Sequence, residues 1–148
     1  MSSQTQAAVP DPLPYIRYYE TLSRATVGAL RELAAPDMRF ADPFNDLTGV
    51  ERVVHMLERM FDDLEEPRFS VTDRAVSGPV WYLRWHFSAR PRGRSAPWAI
   101  EGMSEVHYDE NGRVIAHLDH WDSGAQFYAQ LPVIGWLIGL VRRRLSAG

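Results

Sequence analysis

The chain has 148 residues, 45% of them hydrophobic, which suits one domain with a real core. Its 16 basic and 19 acidic residues leave a net charge of −3, where a nucleic-acid binder would normally carry a basic excess. Cysteine is absent, which excludes disulfides, thiolate nucleophiles and cysteine zinc sites.

Residues 1–14 are polar and proline-rich (Pro10, Pro12, Pro14) and read as a disordered lead-in. The opening Met-Ser-Ser-Gln-Thr-Gln has no basic stretch followed by an apolar one, so no secretory signal is expected. From Tyr15 the pattern turns helical: Tyr15, Ile16, Tyr18, Tyr19 and Leu22 recur at three- and four-residue steps. A second short helix is expected over Val27 to Leu33, stopping before Pro36. Met38 to Asp42 reads as a short extended piece closed by Pro43. Gly49 then opens a strongly amphipathic helix carrying Val50, Val53, Val54, Leu57, Met60, Phe61 and Leu64.

After Pro67 the period changes to alternation. Phe69, Val71 and Asp73 mark one strand, and Gly78-Pro79 marks a turn. Trp81, Leu83, Trp85 and Phe87 share one face of a long strand, with Tyr82, Arg84 and His86 on the other. In the next strand Trp98, Ile100, Gly102, Ser104, Val106 and Tyr108 oppose Glu101, Met103, Glu105 and His107. Asp109-Glu110-Asn111-Gly112 is a hairpin signal. The last strand, Arg113 to Asp122, puts Val114, Ala116, Leu118 and His120 opposite Ile115, His117, Asp119 and Trp121. Gly124 opens a final helical segment. Helices first and then long antiparallel strands predict an α+β architecture, with three helices packed on a strongly curved sheet. Such a cone encloses a cavity suited to a small ligand.

Three groups could carry chemistry in that cavity. Asp42 precedes a proline, which favours extended backbone, and Phe40 and Phe44 flank it. Aimed into an apolar pocket, its carboxylate would be a general base; otherwise it is a turn aspartate. Tyr18 lies on the apolar helix face, where its hydroxyl could donate to an oxyanion or simply belong to the core. His117 and Asp119, two apart on a strand, face the same side as Trp121 and could relay a proton, or form an ion pair at a sheet end. Too few further ligands converge to argue for a metal. The run Leu131 to Val141, 11 residues followed by three arginines, is shorter than the roughly 20 of a spanning helix. It reads as a helix covering a cavity mouth or subunit contact rather than a membrane-surface segment.

The run Phe40-Ala41-Asp42-Pro43-Phe44, followed by Gly49 opening a helix, resembles ketosteroid isomerases. The ending Tyr108 to Ile115 with Trp121-Asp122 is similar to the last hairpin of that fold. The resemblance extends to SnoaL-like polyketide cyclases and the wider group named for nuclear transport factor two. It implies a cone-shaped roll of antiparallel sheet with three helices over 15–123, plus a C-terminal helical extension over 124–148. It also implies that the isomerase base falls on Asp42 and the oxyanion tyrosine on Tyr18, at that family's separation of 24 residues. The second oxyanion donor, an aspartic acid there, becomes Ser104, and the pocket aromatic becomes Trp121. The tyrosines that support the family's oxyanion group fall on Ala34 and Leu57, so that network is missing. In SnoaL-type cyclases a last-strand aspartate is the acid/base, and Asp119 with His117 matches it.

The expectation is therefore a small enzyme moving protons on a hydrophobic carbonyl compound without metal or organic cofactor. Its catalytic group would be Asp42, Tyr18, Asp119 and His117. Its pocket would be built from Trp121, Ser104, Phe44, Met56, Trp85, Phe87 and Trp98. The alternatives are a non-catalytic binding protein of the same fold, or a hydrolase or dehydratase using Asp119 and His117. A cytoplasmic homodimer is expected, with the face carrying Arg84, His86, Glu105 and His107 as the contact, and with no nucleic-acid partner.

Overall fold

The computed structural model describes residues 8–126. Helix α1 spans Leu13–Glu20, with Pro12 as its N-cap and Pro14 in its first turn, where no amide donor is needed. Asp11 Oδ1 accepts the Leu13 amide at 3.0 Å, and Trp81 Nε1 donates to Pro10 O at 2.7 Å. The end of the lead-in is thus tied to the sheet rather than free. A 3-10 turn, Val27–Ala29, runs into α2, Leu30–Leu33. Strand β1, Ala34–Ala41, follows at once, and a short β2, Asp46–Thr48, doubles back on it.

Helix α3, Val50–Asp63, buries Val50, Val53, Val54 and Leu57, the stripe its periodicity predicts. Gly49, at φ 109°, turns the chain into it and donates its amide to Met38 O at 2.8 Å. The last turn of α3 has no basic residue. Its carbonyls are met from elsewhere: Arg24 donates to Phe61 O at 2.8 Å, and Arg92 to Asp62 O at 2.7 Å.

Strands β3 (Leu64–Ser77), β4 (Val80–Pro91), β5 (Trp98–Tyr108) and β6 (Val114–His120) complete a six-stranded sheet of order β2-β1-β6-β5-β4-β3. Along β4, Leu83, Trp85, Phe87 and Ala89 are buried, while Arg84, His86 and Ser88 are exposed. The inner face therefore meets the helices and the outer face carries charge. There Glu101 pairs with His86 at 3.2 Å, and Glu105 with His120 at 2.6 Å and His107 at 3.5 Å. Register shifts in β3, between Glu65 and Arg68 and between Val71 and Asp73, curl the sheet around the helices. Glu66 sits in the first of these bulges at φ 50°. Left-handed backbone strains a residue with a side chain. Glu66→Gly is expected to stabilise the fold by about 0.5–1 kcal/mol despite the entropy cost of glycine. Urea unfolding measures this, and a loss of stability would show that the bulge carries no strain.

Three features depart from the sequence-based expectation. The sheet is not wholly antiparallel, because β1 runs parallel to β6. Strand β3 starts directly at Leu64 and is 14 residues long. In β6 a register shift opposite His107 and Tyr108 inserts Ile115 as an extra residue. Val114 and His117 are consequently both buried, although strict alternation puts them on opposite faces.

The core falls into two clusters. One joins α1, α2, α3 and β1 to the inner face through Tyr15, Leu30, Met38, Val53, Leu83 and Val106. The other is Trp85, Phe87, Ala89 and Ile100, at the far end of the sheet. The cavity is lined by members of both. No helix among the described residues is long and apolar enough to cross a membrane. The segment Leu131 to Val141 and the three arginines after it lie outside the described residues.

Candidate active site

The cavity between helices and sheet has a volume of about 280 Å³, and its wall is mostly apolar and aromatic. Of the expected pocket residues, Phe44, Met56, Trp85, Phe87, Trp98, Ser104 and Trp121 all line it. So do Asp42, His117 and Asp119. Among the described residues no arginine does, although arginine supplies every basic residue of the chain.

Asp119 is the centre of the polar groups. His117 Nε2 lies 2.7 Å from its Oδ1, and the Ser104 hydroxyl donates to the same oxygen. Behind His117, the Tyr15 hydroxyl lies 2.7 Å from Nδ1. Behind Ser104, Trp85 Nε1 donates to Oγ at 2.8 Å. For a neutral imidazole the tautomer follows from these contacts: a carboxylate accepts, so Nε2 carries the proton, Nδ1 accepts, and Tyr15 donates. Burial pushes the Tyr15 phenol well above its ordinary pKa, and the neighbouring Tyr19 adds to the shift, so Tyr15 keeps its proton. Two donor chains, Tyr15–His117 and Trp85–Ser104, thus converge on Oδ1. Oδ2 has no hydrogen-bond partner among the described residues.

The fold explains this convergence. On the inner face Ser104 pairs with Asp119 and Val106 with His117 across β5 and β6. The His117 ring is clamped by Phe40, Tyr19 and Tyr15, with centroid distances of 5.0, 5.3 and 5.7 Å. Such packing leaves the imidazole little freedom to turn.

Asp42 and Tyr18 stand apart from this network. Asp42 Oδ1 accepts the amides of Phe44 and Asn45, both at 2.7 Å, and Asn45 Nδ2 at 3.1 Å. Its carboxylate is folded onto its own turn, the arrangement that Asx-Pro sequences favour. Tyr18 is buried, but it is not a lining residue, and its hydroxyl donates to Val27 O at 2.7 Å. The tyrosines that do line the cavity are Tyr15 and Tyr19, four residues apart on α1. Sequence reasoning passed over both. Their i, i+4 spacing was the available signal, but Ile16 and Tyr18 are buried as well and blur it.

A family model described as a SnoaL-like domain matches residues 15–117. The chain belongs to the SnoaL-like family. Solved structures agree on the fold. A hypothetical protein from Catenulispora acidiphila with a ketosteroid isomerase-like fold, in complex with trimethylamine, superposes with a TM-score of 0.69 at 15% identity, over 83% of this chain and 93% of that one. A putative SnoaL-like polyketide cyclase from Jannaschia gives 0.63 at 15% identity, over 75% and 84%. An LEH-like epoxide hydrolase from M. tuberculosis gives 0.62 at 16%, over 90% and 91%. No curated protein matches the sequence. Two NTF2-like structures of similar score are of unknown function, and a shared fold does not fix the chemistry of this family member. No group of three or more metal-binding side chains occurs among its described residues.

Proposed function

We propose that this SnoaL-like protein is a general acid–base enzyme that moves a proton on an uncharged, hydrophobic carbonyl compound, with Asp119 as the proton carrier. One observation carries the reading. Asp119 lines an aromatic cavity with one carboxylate oxygen held by two donors and the other without a hydrogen bond among the described residues. A base held in one orientation next to a dry wall is what proton abstraction beside a carbonyl requires. His117 and Ser104 orient the carboxylate, and Tyr15 fixes the His117 tautomer. Abstraction and return of a proton change no oxidation state, so the step calls for no redox cofactor.

The wall also favours an uncharged substrate. Two carboxylates line the cavity, and both nitrogens of His117 are already engaged. An anion entering would lose its water and meet no arginine among the described residues. A neutral ring compound loses nothing comparable and gains apolar contact.

The test is deuterium incorporation. A small cyclic ketone in D2O, followed by NMR, should exchange its α-protons faster with the protein than without it. Asp119→Asn is expected to lower that rate about 10²- to 10⁴-fold while the protein stays folded. Equal rates for wild type and Asp119→Asn would overturn the reading. Saturable binding of the ketone with no exchange would favour a non-catalytic binding protein instead.

A further inference from the structure

We infer that Gly102 and Trp85 form a positioning device for Asp119: the missing side chain at 102 lets the Trp85 indole lie across β5, where it holds Ser104 on the carboxylate. The inference rests on Asp119 as the proton carrier. It concerns a glycine that no motif of the sequence marks and a tryptophan expected only as pocket lining.

Trp85 and Gly102 face each other directly across β4 and β5, and Ser104 is two residues further along the same inner face. To reach Ser104 Oγ at 2.8 Å, the indole must lean along the strand and pass over position 102. A Cβ at that position would lie 2.6 Å from both Cζ2 and Cη2 of the indole, and 3.0 Å from the His120 carbonyl oxygen. Separations of 2.6 Å are far inside carbon–carbon contact, so any side chain there displaces the ring. The backbone at Gly102 is not in the left-handed region, so what glycine supplies here is space rather than conformational freedom. A glycine inside a strand weakens it, and close approach by another group is a recognised reason for one.

The position of the indole has a chemical consequence. A serine hydroxyl has one proton and can rotate. With the Trp85 N–H directed at Oγ, the Ser104 proton is turned toward Asp119 Oδ1. Ser104 is 2% exposed, so no bulk water can take over that role. Trp85 therefore acts through Ser104 and is a positioning residue. The Tyr15–His117 arm holds the same oxygen from the other side, and together the arms leave Oδ2 for the substrate.

The experiment compares Gly102→Ala, Trp85→Phe, the double variant and Ser104→Ala. The Trp85 indole N–H resonance is assigned by its loss in Trp85→Phe. In Gly102→Ala it should shift and exchange faster with solvent. Ketone deuteration should fall about ten- to a hundred-fold, the scale expected when a catalytic group is misplaced by about an ångström, with KM little changed. Adding Trp85→Phe relieves the clash, so the double variant should regain the melting temperature but not the rate. Ser104→Ala should slow the reaction as much as Gly102→Ala does, and combining the two should add nothing. The inference is overturned if Gly102→Ala leaves resonance and rate unchanged, or if the double variant recovers the wild-type rate. Failure of the acid–base reading is a different result: there Asp119→Asn itself exchanges as fast as wild type, and the positioning role falls with it.

Discussion

Above about pH 10 the protein is expected to unfold steeply, because its buried tyrosines resist an ionisation that the unfolded chain accepts. Burial raises the pKa of Tyr15, Tyr18, Tyr19 and Tyr108, in each case as the largest cause. In the unfolded chain each phenol loses its proton near pH 10, while in the folded state it keeps it. The folded state then binds more protons, so stability falls as pH rises. Their contribution is complete below the unfolded value and disappears as pH climbs toward the folded one. Tyr15 and Tyr19 alone give a slope of about 3 kcal/mol per pH unit. Against a total stability of about 5–15 kcal/mol, that slope empties the native state within a few units. Urea titrations across this range should show the midpoint falling, with phenolate absorbance and loss of helical signal appearing together. Phenolate absorbance from all the tyrosines before any unfolding would contradict it. Tyr15→Phe should make stability fall less steeply with pH, since it removes one of the resisting groups.

The fold was largely legible in the sequence where a side-chain period runs long. Along α3 four apolar residues fall on one stripe, and along β4 and β5 large apolar residues alternate with charged ones. Physical burial follows both patterns. Legibility stops where backbone irregularity changes the count. The extra residue at Ile115 reverses the faces of the first part of β6, and nothing in its apolar composition announces a bulge. His117 and Asp119 could still be placed together, because they follow the bulge and are separated by two.

The site was legible in part for a related reason. Helix α1 buries Tyr15, Ile16, Tyr18 and Tyr19, so its apolar stripe is too wide to say which phenol meets the cavity. Periodicity ranks burial, whereas the cavity occupies only a narrow arc of the buried face. Asp42 illustrates a second limit. Local hydrogen bonds to its own turn compete with a role in the cavity, and a residue before proline is well placed to make them. The network reaching Asp119 from Trp85 could not be foreseen, because it depends on an indole leaning over a glycine on the neighbouring strand.

His117→Ala should be among the most destabilising substitutions in the chain, at about 3–5 kcal/mol by denaturant unfolding. The ring is 5% exposed and packs against Phe40, Tyr19 and Tyr15, so removing it opens a void among aromatics. It also strands a polar group: the Tyr15 hydroxyl, 2% exposed as a residue, loses the Nδ1 atom it donates to. That second cost predicts a change of sign. In the wild type, Tyr15→Phe removes a buried hydrogen bond and should cost about 1–2 kcal/mol. In the His117→Ala background the same change removes an unsatisfied hydroxyl and should be neutral or stabilising. The double-mutant cycle should therefore show a coupling of about 1–3 kcal/mol. Additive effects would mean that Tyr15 and His117 merely touch, and the tautomer assigned to His117, on which the orientation of Asp119 depends, would lose its physical basis.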